Sequence, residues 1–273
     1  MDLQAVRAAA VEIANAAGVE LMRYYRQPHQ ENTKSSVYDI VTEGDKASEA
    51  IIVAELIKRF PDHYIISEEG GVSEATFEEA EYVWHIDPID GTTNFANNIP
   101  LFTVSIGMSD KNMRPLVGVV LNPVYNEMFS AARGFGATLN DEPIHVSGCT
   151  TLERSVLATG FSANGPSSLW SLRQWETFTP KIRGLRRFGS VALELAFVAS
   201  GRLDGLWEHT LNSWDIMAGL MLVEEAGGKI SDYSDGMDKL YDGCEVVASN
   251  GILHSQILSV LDELTDAGAD VEC

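Results

Sequence analysis

The stretch Tyr82-Val83-Trp84-His85-Ile86-Asp87-Pro88-Ile89-Asp90-Gly91-Thr92-Thr93-Asn94-Phe95 runs from strand-like residues into two carboxylates, a proline and a glycine. The β-branched and aromatic residues from Tyr82 to Ile86 favour a strand, and Pro88 has no N–H with which to continue a ladder. Asp87 is therefore expected at the carboxyl end of the strand, with Asp90 three residues on. Two ionised carboxylates converging in a poorly solvated cleft repel each other unless one is protonated or a cation lies between them. A hard divalent ion such as Mg²⁺ suits oxygen ligands. Pro88 would turn the Ile89 carbonyl inward as a neutral ligand, and Gly91 permits close backbone approach. Gly91-Thr92-Thr93 is expected to open a helix whose unpaired N–H groups can face a phosphate. Taken alone, an Asp-Pro-x-Asp run also fits a loop with aspartate caps and a turn glycine, so the rest of the chain has to decide.

The chain has 273 residues, of which 45% are hydrophobic, enough for a full core without an evident linker. The amino-terminal residues lack the basic region and apolar stretch of a signal peptide, and no apolar run is long enough to span a bilayer; a cytoplasmic protein is expected. A net charge of −21 disfavours direct binding to nucleic acid or anionic membranes. Cys149, Cys244 and Cys273 match neither a disulfide framework nor zinc spacing and are read as buried or idle thiols. The histidines form no ligand pattern, and His85 is read as structural or surface.

Apolar residues at Leu3, Val6, Ala10, Ile13, Ala17, Leu21 and Tyr24 mark an amphipathic first helix. A second helix is expected from Asp45, as N-cap, to Arg59, followed by a strand at 64–67 that delivers Glu68. Strand-like segments at 102–108, 116–121 and 127–132 suggest an antiparallel-rich sheet, and Asn140-Asp141 a hairpin turn. Gly134-Phe135-Gly136 lacks the third glycine of a dinucleotide fingerprint and is read as turn chemistry. Beyond it, strands at 155–159, 184–187, 203–208 and 246–249 alternate with helices at 168–178, 191–199, 214–226 and 253–264, the helix of Trp214 closed by Gly227-Gly228. Asp232, Asp235 and Asp238 do not fit a calcium loop and are read as a solvated turn. Arg186 and Arg187 are assigned a structural role over recognition of a second phosphate or a dimer neighbour.

Asp87-Pro88-Ile89-Asp90-Gly91-Thr92-Thr93-Asn94-Phe95 resembles the first signature of the inositol monophosphatase family, and Trp214-Asp215 with Glu224-Glu225-Ala226-Gly227-Gly228 resembles the second. The similarity extends through Lys34-Ser35-Ser36, Asp39 to Thr42, Asp45, Ser67-Glu68-Glu69 and the segment from Arg186 to Glu208. The resemblance implies a layered α-β-α-β-α sandwich with mixed, antiparallel-rich sheets, of the α+β or α/β class. It also implies one catalytic unit over 1–273, with a metal and phosphate half at about 1–147 and a substrate half at about 148–273. Glu68, Asp87 and the Ile89 carbonyl would hold one Mg²⁺, and Asp87, Asp90 and Asp215 a second; a third ion near Glu68 and Lys34, and Mn²⁺ in place of Mg²⁺, belong to the same expectation. Asp45, Thr92 and Glu68 would be catalytic, with Thr92 and Asp45 positioning and deprotonating the attacking water. The phosphate would sit against Asp90, Gly91 and Thr92 and the leaving alcohol against Gly189, Ser190, Val191 and Glu208, with Asp215 also among the substrate contacts. Ser67, Val191 and Glu43-Gly44 depart from the family's usual residues without removing a ligand.

The implied activity is Mg²⁺-dependent, lithium-sensitive hydrolysis of inositol monophosphate or a similar small phosphorylated polyol or sugar, by a homodimer and without a covalent phosphoenzyme. The alternatives are fructose-1,6-bisphosphatase, histidinol-phosphate phosphatase and phosphatase action on a phosphoadenosine nucleotide. An interaction or regulatory protein with an incidental hydrolytic site is the reading from another class.

Overall fold

The structure, a computed structural model, describes residues 1–27, 32–33, 40–70, 75–161, 165–241 and 243–265. Lys34, Ser35, Ser36, Asp39 and Cys273, all named above, lie outside the described residues. Helix α1 (Leu3–Tyr24) is followed by a two-stranded ribbon of β1 (Asn32–Thr33) and β2 (Ile40–Val41), and then by helix α2 (Glu43–Arg59). Next come β3 (Tyr64–Ser67), β4 (Tyr82–Asp90), the short helix α3 (Thr92–Ala96), β5 (Thr103–Asp110), β6 (Pro115–Asn122), β7 (Glu127–Ala132), β8 (Ala137–Leu139) and β9 (Glu142–Ile144). Strands β3 to β9 form one sheet in sequence order, parallel only between β3 and β4. The β8–β9 hairpin turns through Asn140 and Asp141 at φ 51° and 68°, the left-handed pair that a tight two-residue loop requires.

The rest of the chain supplies β10 (Val156–Ala158), α4 (Gly165–Phe178), β11 (Gly184–Arg186), α5 (Val191–Ala199), β12 (Gly205–His209), α6 (Ser213–Glu225), β13 (Lys229–Ser231), β14 (Glu245–Ser249) and α7 (His254–Thr265). The second sheet has the order β11-β10-β12-β14-β13, with β10 parallel to both of its neighbours and the other pairs antiparallel.

Three apolar clusters define the layers. Val6, Ile13 and Leu21 of α1 and Ile52 and Leu56 of α2 pack on Trp84, Ile86, Val104, Ile106, Val117 and Val119 of the first sheet. Residues of α5 and α6 fill the space between the sheets, joining Val120 and Phe129 on one side to Leu206, Val246 and Ala248 on the other. Leu157, Trp207 and Val247 on the outer face of the second sheet meet Phe178 of α4, Leu253 just before α7, and Ile257 and Leu261 of α7. The layered α-β-α-β-α arrangement is thus the packed one, and burial on this scale is the main driving force for such a core.

Helix α6 lies unusually close to the first sheet. Gly107 and Gly118 are cross-strand partners on β5 and β6. A Cβ added at Gly107 would come within 2.7 Å of the Ala218 nitrogen, and one at Gly118 within 2.2 Å of the Ala218 oxygen. Gly219 makes a comparable close approach on the opposite side, where its added Cβ would stand 2.4 Å from Leu195 of α5.

Several local expectations are corrected. Pro88 does not end the strand, because the sheet absorbs it in a bulge: Asp87 faces Ser105 and Asp90 faces Thr103. Asp45 is not the cap of α2; Thr42 is, and Asp45 is the third helical residue, closing a capping box. Cys149 is a free thiol but Cys244 is disulfide-bonded, so the idle-thiol expectation fails for Cys244. The turn after β13 is not simply solvated, since buried Asp232 accepts the amides of Ser234, Gly236 and Lys239. Strand β13 itself had no counterpart in the expected elements.

Candidate active site

The bulge in β4 shapes the site. In a regular strand residues three apart point to opposite faces. On β4, however, the interval from Asp87 to Asp90 spans only two residues of β5, Ser105 to Thr103. One extra residue therefore turns both carboxylates toward α6 and α5. Pro88, which lacks an N–H, is tolerated there, and its carbonyl accepts the Ser48 hydroxyl of α2 at 3.0 Å. Ile89 donates its amide to Asp87 Oδ1 at 2.9 Å, and Gly91 follows at φ 99° as the residue before α3. A Cβ on Gly91 would lie 3.0 Å from the Gly189 oxygen and 3.3 Å from Ser190 Cβ, so the glycine permits the two parts of the chain to meet. Asn94 fastens this junction by donating to the carbonyls of Leu101 and Phe188 at 2.6 and 2.7 Å.

Asp45 and Asp215 are positioned by one device used twice. Each is the third residue of its helix and accepts the amide of its own N-cap, Thr42 or Asn212, through Oδ2 at 2.7 Å. The Thr42 hydroxyl adds a second bond to Asp45 Oδ2, leaving Asp45 Oδ1 facing the Thr92 hydroxyl at 3.3 Å. Thr92 has one proton to share between Asp45 and the Ile89 carbonyl, which is 3.1 Å away.

Asp90 joins the first sheet to the start of α5. Its oxygens accept the Ser190 hydroxyl at 2.6 Å and the amides of Val191 and Ala192 at 3.2 and 2.7 Å, so it caps α5 from another part of the chain. Glu194 reaches back from α5 to the Phe188 amide at 2.6 Å, while its Oε2 is buried without a hydrogen-bond partner. Glu208 is buried on β12 and accepts from the backbone of Gly160; Tyr233 donates its hydroxyl to the Glu208 carbonyl.

Burial raises the proton affinity of these acids. Asp45 is pushed up to about 6 by desolvation, against its bonds to Thr42. Asp90 is raised to about 6, burial outweighing the donors at Ser190, Ala192 and Val191. Asp215 reaches about 8 for the same reason, with the charges of Asp90 and Glu68 adding to it. Asp87 is raised well above the usual carboxylate range, first by burial and then by Glu68, Asp90 and Asp215. Glu194 rises to about 7, and Glu208 well above its ordinary value, chiefly by desolvation.

The predicted acids therefore meet: Glu68 acts on Asp45, Asp87, Asp90 and Asp215 alike. Gly189, Ser190 and Val191 adjoin Asp90 and Gly91, and Glu208 feels the charge of Asp215. Among the described residues no three acidic, histidine or cysteine side chains are gathered as a preformed ligand set. Asp87, Asp90 and Asp215 instead accept nearby amides and hydroxyls. The donor set is nonetheless all hard oxygen and carries unfavourable buried negative charge, a combination that a divalent cation relieves. Arg187 lies over the Phe161 ring, 5.1 Å from its centroid, and Phe161 stacks on Trp175. Sequence reasoning passed over Glu194 and Asn94; an acid inside the apolar run Val191-Ala192-Leu193-Glu194-Leu195 was the available signal for Glu194.

A sequence model of the inositol monophosphatase family matches residues 2–266. An inositol-1-monophosphatase from Synechocystis is 41% identical, over 95% of this chain and 90% of its own length. A Nus factor SuhB from Escherichia coli K12 is 39% identical, over 94% and 96% respectively. Among solved structures, the extragenic suppressor protein suhB from Bartonella henselae superposes with a TM-score of 0.89 at 36% identity, covering 95% of this chain and 99% of that one. Inositol monophosphatase from Anabaena gives a TM-score of 0.85 at 39% identity, covering 96% and 97%.

Proposed function

The chain belongs to the inositol monophosphatase family and is a phosphomonoesterase, and we propose that its substrate is a small phosphorylated polyol, inositol monophosphate first, and its cofactor Mg²⁺. The observation that carries this reading is the Thr92–Asp45 contact at 3.3 Å beside the converging acids. A binding protein has no need of a hydroxyl paired with a buried base.

Glu68, Asp87, Asp90, Asp215 and the Ile89 carbonyl would hold the cations. Bound there, Mg²⁺ supplies charge neutralisation for the phosphoryl oxygens and lowers the proton affinity of water. The chain's own residues supply placement and a proton acceptor. Thr92 orients the attacking water with its hydroxyl, and Asp45 Oδ1 receives the proton that Thr92 relays. At neutral pH an Asp45 pKa of about 6 leaves it mostly ionised and basic enough to act. Gly91, by letting the chain at Gly189 and Ser190 come close, sets the backbone of 91–92 beside the acids, where the phosphoryl group would rest. On the alcohol side Gly189, Ser190, Val191 and Glu208 face the leaving group, where the Glu208 carboxyl can hydrogen-bond a substrate hydroxyl. Lithium inhibition belongs to this same reading, through competition for a cation position.

The SuhB relatives, named Nus factors, favour a second reading in which a relative of the enzymes serves chiefly through association with other macromolecules. Phosphate release by the purified protein separates the two. Inositol 1-phosphate, fructose 1,6-bisphosphate, histidinol phosphate and 3′-phosphoadenosine 5′-phosphate are assayed in parallel, with and without Mg²⁺. Magnesium-dependent preference for inositol 1-phosphate is the expected result. Preference for another ester replaces the substrate, and no release from any of them favours the association reading.

A further inference from the structure

His85 lies two residues before Asp87 on β4 and is wholly buried, yet both ring nitrogens have partners. Nδ1 lies 2.9 Å from the Ser213 hydroxyl, on the first residue of α6, and Nε2 lies 3.0 Å from the Ser109 hydroxyl of β5. The direction of this chain of bonds can be worked out. Where the Ser109 hydroxyl donates its one proton to the Asp110 carbonyl, 2.9 Å away, it accepts from His85. In that arrangement His85 carries its proton on Nε2. Its Nδ1 is then an acceptor, and Ser213 is the donor to it. The imidazole is held by Ser109 of β5 and Ser213 of α6, and both of its nitrogens have a partner.

The link ends where it matters for the acids. Ser213, Trp214 and Asp215 are the first three residues of α6. The sheet grips this turn a second time through the Ser105 hydroxyl, 3.4 Å from the Trp214 carbonyl. Ser105 is the cross-strand partner of Asp87, and Gly107 that of His85. The strand that carries Asp87 and Asp90 is thus tied by side-chain bonds to the helix turn that carries Asp215.

We propose that His85 is a positioning residue that holds the first turn of α6, and with it Asp215, in register with Asp87 and Asp90. The inference rests on the cation-binding reading of those acids and assigns it a support outside the ligand set. Groups that orient metal ligands from behind typically change affinity by about 10–100-fold when removed.

The test measures Mn²⁺ binding to metal-free protein by the electron paramagnetic resonance of free Mn²⁺, alongside thermal unfolding. Ser213→Ala and His85→Phe are each expected to weaken binding about tenfold while unfolding remains cooperative. Ser213→Thr, which keeps the hydroxyl, should bind as the wild type does. The double variant should bind no more weakly than His85→Phe alone, because both changes break one link. Wild-type affinity in folded Ser213→Ala, or full additivity in the double variant, would overturn the proposal. If His85→Phe does not fold, Ser213→Ala and Ser213→Thr decide between them. Absence of Mn²⁺ binding by the wild type would overturn the cation reading itself, and so is distinguishable from failure of the positioning role.

Discussion

At the scale of single residues, Asp45 shows how a helix cap becomes part of a reaction centre. Thr42 occupies one carboxylate oxygen and leaves the other on Thr92. Replacing Asp45 by Asn keeps an acceptor for the cap but removes the base, so kcat should fall by about 10²–10⁴ with little change in melting temperature. Thr92→Ala should lower kcat in the same direction, checked by the same steady-state assay. The pH dependence follows from the raised Asp45 value. Its basic form is lost as pH falls through about 6, and bound cations would move that limb to lower pH still. The wild-type kcat profile should therefore decline on the acid side, and in Asp45→Asn only the part of that limb due to the cation-holding acids should remain, shrinking as Mg²⁺ is raised. Much of this was legible in the sequence, where Thr42 and Asp45, like Asn212 and Asp215, stand at capping-box spacing. The role of Asp90 in capping α5 was not legible, because its donors lie a hundred residues away in the chain.

The elements were read largely from periodicity and turn residues. Helix α5, strand β7 and the Asn140-Asp141 turn came out where pattern placed them, since each is governed by local preference. Strand β4 did not. Its continuation through Pro88 depends on pairing with β5, and a bulge has no signature in one strand alone. The seat of α6 has the same character, since Gly107 and Gly118 mean little until they are seen as partners beneath Ala218. Gly118→Ala places a methyl group against the Ala218 carbonyl and should destabilise the fold by about 1–3 kcal/mol. Chemical denaturation would register it as a lower midpoint, and an unchanged midpoint would mean that α6 is free to shift.

Across the whole molecule the acids act together. Asp45 and Asp90 titrate near 6, Glu194 near 7 and Asp215 near 8 in the folded protein, against about 4 in an unfolded chain. Between these values the folded state binds more protons than the unfolded one, so stability declines as pH rises. The net charge of −21 pushes the same way through self-repulsion. Cation-free protein should therefore melt at a lower temperature at pH 8 than at pH 6. Mg²⁺ should raise the melting temperature more at pH 8, where the acids are ionised; a greater rise at pH 6 would contradict the assignment of the cluster.

The most direct measurement is a titration of Mg²⁺ into metal-stripped protein while phosphate release from inositol 1-phosphate is followed. The expected course is no release without the cation and a saturable rise with it. Release that persists in excess chelator, or that never appears at any Mg²⁺ concentration, would contradict the account.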